Sequence, residues 1–143
     1  GGSGSTLALV VLLLILGRKG SAERSIGKVA IIPGLFGINE PVTFGLPIVL
    51  NPIMFLPFVF VPVINAIIGY FATSWGWVNH LVVLNSGVEP IFVNAWVLGA
   101  FTISPVILCV VLFIIDLILY YPFVKLQIKQ NSIEAQNEGV VLE

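Results

Sequence analysis

Charge is what this chain has least of. Charged residues make up 9% of its 143 residues, against about 25% in ordinary soluble domains. Residues 29–124 contain neither Lys nor Arg, and their only acids are Glu40, Glu89 and Asp116. A soluble domain of this size needs charge on its surface, and this one has almost none to place there. The formal net charge of −1, with no basic patch to neutralise phosphates, excludes a nucleic-acid partner. A single cysteine excludes an internal disulfide and any cysteine-based metal cluster. Nothing in the sequence calls for a metal or a cofactor. Internal repeats are also missing: Pro47, Pro52, Pro57 and Pro62 recur every five residues, a spacing that marks no single helix face.

What is present is apolar. Hydrophobic residues reach 58% and the mean hydropathy is +1.10, which fits an all-α integral membrane protein. Its lipid-facing surface needs no charge. The expected order is a helix over about 5–17, a polar connector over 18–30, and a Pro/Gly-rich hairpin over 31–50. A helix over 52–72, a loop over 73–99, a helix over 101–122 and a disordered tail over 130–143 follow. The first apolar run, residues 7–16, reaches only about 15 Å against a hydrocarbon core of ~30 Å. The chain opens with small residues and no initiator Met, so it is expected to be the C-terminal portion of a larger transporter. Asn51-Pro52 is a good helix start, with Asn as the N-cap and Pro at the first helical position. Pro57 and Pro62 should kink the helix that follows.

Two basic clusters set the topology. Arg18, Lys19, Arg24 and Lys28 form one; Lys125 and Lys129 form the other. Lys and Arg beside membrane segments stay cytoplasmic, so the chain must cross an even number of times between them. Two full spans satisfy that count only if residues 31–50 enter and leave on one side. Trp75, Trp77 and Trp96 then belong to the external interface, and the tail is cytoplasmic.

Within that hairpin Glu40 is the only charge between Lys28 and Glu89. A charge at membrane depth costs roughly 2.5–3.5 kcal/mol on insertion scales, and broken backbone at that depth must be buried in protein or line a water-filled cavity. Pro41 can take the first helical position, which places Asn39 and Glu40 at or near an N-cap, the way several transporters build binding sites. An amide beside a carboxylate suits a polyhydroxyl ligand. The plainer alternative is that Glu40 caps a helix or reaches the interface.

Residues 33–42, Pro-Gly-Leu-Phe-Gly-Ile-Asn-Glu-Pro-Val, and 44–52, Phe-Gly-Leu-Pro-Ile-Val-Leu-Asn-Pro, resemble the lactose/cellobiose-type (diacetylchitobiose-like) enzyme IIC. That is the membrane permease of the bacterial phosphoenolpyruvate-dependent sugar phosphotransferase system. The opening Gly-Gly-Ser-Gly-Ser-Thr-Leu and the run Tyr120-Tyr121-Pro122-Phe123 resemble the same family, and the similarity extends from Gly1 to about Lys129. The resemblance implies that Glu40 is the binding-site carboxylate that contacts the sugar hydroxyl to be phosphorylated, with Asn39 beside it. It implies a disaccharide or β-glucoside substrate, a phosphorylated enzyme IIB partner, a homodimer formed through a preceding N-terminal part, and the bacterial cell membrane as location. The family's other key group, a histidine on an earlier hairpin, has no match here, because His80 falls in the external loop.

Other singled-out residues read as structural. His80 is an interfacial loop residue and Glu89 a loop carboxylate or external gate. Asp116 and Tyr120, four apart on one helix face, hydrogen-bond a neighbouring helix. Cys109, mid-span with no cation nearby, is an inert thiol. Three functions compete: sugar translocation coupled to phosphorylation, which the resemblance implies; a proton-coupled secondary transporter using Glu40, which the residues alone allow and only the resemblance ranks lower; and a truncated product inactive by itself.

Overall fold

In the computed structural model, residues 3–81, 83 and 89–141 are described; part of the expected external loop, 82 and 84–88, lies outside them. Six α-helices follow one another: α1 Thr6–Leu16, α2 Ala22–Leu35, α3 Glu40–Gly45, α4 Pro52–Ser74, α5 Ile91–Leu98 and α6 Ser104–Val141. Among the described residues there is no strand.

α1 is apolar on all sides, and a helix of that kind belongs in a core. Leu7, Ala8, Leu9, Val10, Leu12 and Leu13 are all buried in it. α2 turns back along it. Ser21 caps α2, its side chain accepting from Arg24 N over 3.3 Å. Small residues then let the two backbones approach: Gly27 sits against Leu13 and Leu14, and Gly34 against Leu7.

α4 starts as its sequence dictates. Asn51 Oδ1 accepts from Ile53 N at 3.0 Å and Met54 N at 3.4 Å, with Pro52 in the first turn. The helix is assigned without interruption through Pro57 and Pro62. α4 and α6 are the two helices long and apolar enough to cross a membrane. Their outward side chains, among them Phe60, Ile67, Ile107, Ile114 and Ile118, are exposed.

Three boundaries differ from expectation. α2 takes in residues 22–30 of the connector and continues to Leu35 through Pro33, which lacks the N–H that would bond the Val29 carbonyl; close packing on α1 holds the helix there. α5 forms inside the expected external loop. α6 does not stop at Pro122 but runs to Val141, where a disordered tail was expected. Polar side chains support its extension: Gln127 Nε2 donates to Asn131 Oδ1 at 3.0 Å, and Gln130 Nε2 to Glu134 Oε1 at 3.2 Å.

That polar part of α6 also fixes the base of the hairpin. Asn51 Nδ2 donates to Gln127 Oε1 at 2.6 Å, and Asn131 Nδ2 donates to Glu23 Oε1 at 2.6 Å. The segment between α1 and α4 thus leaves and returns to neighbouring turns of one helix, while Gly45 packs on Ile26 as α3 comes back along α2.

Candidate functional site

The hairpin tip is built by two opposed signals. α2 ends because Gly37 adopts φ 78°, a left-handed conformation that glycine takes without steric cost. Ile38 N then donates to Pro33 O at 3.0 Å and Gly37 N to Gly34 O at 3.1 Å, the paired bonds of a Schellman end. Two residues later α3 begins, with Glu40 first and Pro41 next. Helix is therefore broken over residues 36–39.

Asn39 and Glu40, adjacent in sequence, part company in space. The half-buried Asn39 does not cap α3; its Nδ2 donates to Ser3 O at 2.7 Å and to Ser3 Oγ at 3.3 Å. Glu40 is exposed on this chain's surface. A cavity of about 490 Å³ lies beside the tip, walled by Phe36, Gly37, Gly69, Thr73, Asn94 and Cys109, with Glu89 also in its lining. Glu40 is not in its wall. His80 is exposed and is not in the cavity wall, although its neighbours Asn79 and Leu81 are.

A second polar group was only partly visible in the sequence. Residues 3–5 form a tight turn in which Gly4 has φ 80° and Ser5 φ 52°. Asn65 on α4 donates through Nδ2 to Ser5 Oγ at 3.0 Å and to Asp116 Oδ1 of α6 at 2.7 Å. Tyr120 Oη, one turn further along α6, donates to Gly4 O. Asp116 is 6% exposed and Tyr120 fully buried. Ser5, Asn65, Cys109 and Asp116 border a cavity of about 130 Å³. Asp116 and Tyr120 do bond across helices, as their spacing indicated. Asn65 went unnoticed, although it is the only amide between Asn51 and Asn79, and a lone amide within an apolar span is itself a signal.

The heights agree. Asn65 is about 20 Å along α4 from Pro52, Asp116 about 17 Å along α6 from Gln127, and Ser5 about 18 Å along α1 from Gly17. The polar belt thus stands about 17–20 Å above the base along each of the three helices, level with the turn that holds Asn39. At the opposite end of α4, Phe71, Trp75 and Trp77 form an aromatic group with centroids 5.6 and 5.2 Å apart.

Residues 1–62 match the family model described as phosphotransferase system, EIIC. The cellobiose-specific EIIC component of Lactococcus lactis subsp. lactis is 37% identical over 134 residues, covering 94% of this chain and 26% of that protein. The lactose-specific EIICB component of Streptococcus mutans is 34% identical over 140 residues, covering 91% of this chain and 23% of that one. The crystal structure of the transporter ChbC, the IIC component from the N,N'-diacetylchitobiose-specific phosphotransferase system, superposes with a TM-score of 0.89. Its identity is 42%, over 94% of this chain and 31% of that one. The chain spans about a quarter of the length of the curated relatives it matches.

Proposed function

We propose, from the premise that this chain is a relative of the EIIC sugar permeases of phosphotransferase systems, that it forms the part of such a permease carrying the acceptor-activating hairpin. The substrate is a disaccharide or β-glucoside, translocated and phosphorylated in one process. Residues 22–50 form a re-entrant hairpin whose base, both basic clusters and the end of α6 face the cytoplasm. The observation that supports this reading is the helix break at residues 36–39, held on the Ser3–Ser5 turn by Asn39 while both roots of the hairpin bond α6.

In the chemical step Glu40 accepts hydrogen bonds from the sugar and orients one hydroxyl. That oxygen attacks the phosphorus of a phosphocysteine on the enzyme IIB partner. A new P–O bond forms, the P–S bond breaks to leave a thiolate, and the hydroxyl proton passes to the Glu40 carboxylate. Catalysis by positioning and charge is what phosphoryl transfer requires. Relatives that carry IIC and IIB in one name support the partner; lipid covers the exposed apolar faces, and a homodimer forms through other parts of the permease.

Glu40→Gln in the full-length permease tests the role. It keeps shape and hydrogen bonding but removes the base, so sugar phosphorylation falls at least ~100-fold, while sugar binding falls less. A mere helix cap would lose only about 1 kcal/mol of stability. Near-normal phosphorylation by folded Glu40→Gln protein ends the catalytic role. Uptake that stops with a protonophore and delivers unphosphorylated sugar favours a proton-coupled carrier instead.

A further inference from the structure

The tip of the hairpin has little of its own to hold it. Phe36, Ile38 and Glu40 are exposed, α3 has only six residues, and among the described residues Asn39 makes the only side-chain hydrogen bonds of residues 36–50. Those bonds go to the Ser3–Ser5 turn, and that turn is held in place by other elements. In this short turn, with left-handed Gly4 and Ser5, the Ser3 and Gly4 carbonyls each accept a hydrogen bond from a side chain of another element. The hairpin takes one, through Asn39. α6 takes the other, through Tyr120, while Asn65 and Asp116 hold the Ser5 hydroxyl on the same side. A carboxylate and a phenol kept in a membrane-spanning helix are costly, and both are directed at one three-residue turn.

We infer that Tyr120, Asn65 and Asp116 are positioning residues, which fix the hairpin tip, and so Glu40, through the Ser3–Ser5 turn and Asn39. The inference rests on the functional reading above only for what Glu40 does, not for where the tip is held. The relay is passive: each link holds the next through a hydrogen bond, the buried Asn65 Oδ1 staying without a partner, and the last link is a side chain next to the reacting group.

The test uses the full-length permease in a background free of other cysteines, with Cys109→Ala and a reporter Ile38→Cys at the tip. Tyr120→Phe removes one hydroxyl and no volume. Thiol labelling at the reporter should rise at least about fivefold, because the tip opens locally, while a remote Trp77→Cys reporter stays unchanged. Without the reporter, phosphorylation should fall about tenfold with sugar affinity nearly kept, and adding Asn39→Ala should give little further loss. Unchanged labelling at Ile38→Cys, or losses that multiply, overturns the inference. Should Tyr120→Phe not fold, the exchange of Asn65→Asp with Asp116→Asn replaces it: each single change should raise labelling and the pair restore it, and a folded pair that does not restore it overturns the relay. Normal phosphorylation by Glu40→Gln would remove the chemical role yet leave the labelling outcomes standing.

Discussion

At the end of α2, Gly37 and Ile38 close the helix on Gly34 and Pro33; at the end of α4, Gly76 and Trp77 close it on Thr73 and Ala72 over 3.1 and 3.0 Å. The two glycines have φ 78° and 76°, and the two ends are almost the same object. Their surroundings are not. α2 ends at the level of the polar belt, with Asn39, Glu40 and Pro41 following; α4 ends among exposed tryptophans, where Trp75 is 63% and Trp77 72% exposed. A local rule that stops a helix is therefore indifferent to depth. Under the proposed function, what makes one end a site and the other a rim is the following three residues and what the bundle sets opposite them.

The strongest way to break that comparison is to damage both ends equally. Gly37→Ala and Gly76→Ala each force a side chain into a left-handed backbone, a strain of roughly 1–2 kcal/mol, so their thermal stabilities should fall alike. Activity should not: a tip displaced by about 1 Å costs on the order of 100-fold, whereas Gly76→Ala should phosphorylate sugar within about twofold of the parent. Equal activities would erase the distinction.

Depth gives a second contrast. Ile38 and Trp77 occupy the same place after their glycines. In the cysteine-free background, Trp77→Cys should react with an impermeant thiol reagent from outside and Ile38→Cys should not. Ser21→Cys and Ser132→Cys should react only after the cytoplasmic side is opened. Labelling of Ser21→Cys from outside would reverse the orientation.

The smallest effect concerns how helices start. Asn51 caps α4 and also bonds Gln127, so Asn51→Ala should cost about 1–2 kcal/mol, measured as a lowered melting temperature in detergent. Asn39 caps nothing, so Asn39→Ala should change stability by less than Asn51→Ala. A larger stability loss from Asn39→Ala than from Asn51→Ala would show that the tip holds the fold rather than being held by it.

Much of this architecture was legible in the residues. Asn51-Pro52 announced the start of α4, Glu40 among prolines and glycines marked a break, and the shortage of charge with exposed apolar helices agrees with a membrane chain. The failures have physical causes. Residues 31–50 read as broken backbone from their start and the last span as ending by Pro122, yet α2 and α6 each continue through a proline, because a packed helix tolerates one lost backbone bond. Residues 130–143 read as a tail because their polarity has no apolar period; part of that polarity, Asn131, is used against Glu23, 108 positions away. For the same reason Ser5 and Asn65 could not be grouped with Asp116 in advance: the spacing of Asp116 and Tyr120 pointed to another helix but not to these partners, and only the packing of three elements makes them neighbours.

The two anchors at the hairpin's base give the molecule a mechanical character. Glu23 and Asn51 are moored one turn apart on α6, whereas the far end is tied by a single amide to a three-residue turn. A beam clamped at its root and lightly pinned at its free end bends about the root, and its greatest travel is at the pin. Twisting α6 about its own axis would swing that free end through an arc, making the longest helix of the chain the shaft and Glu40 the point of the lever.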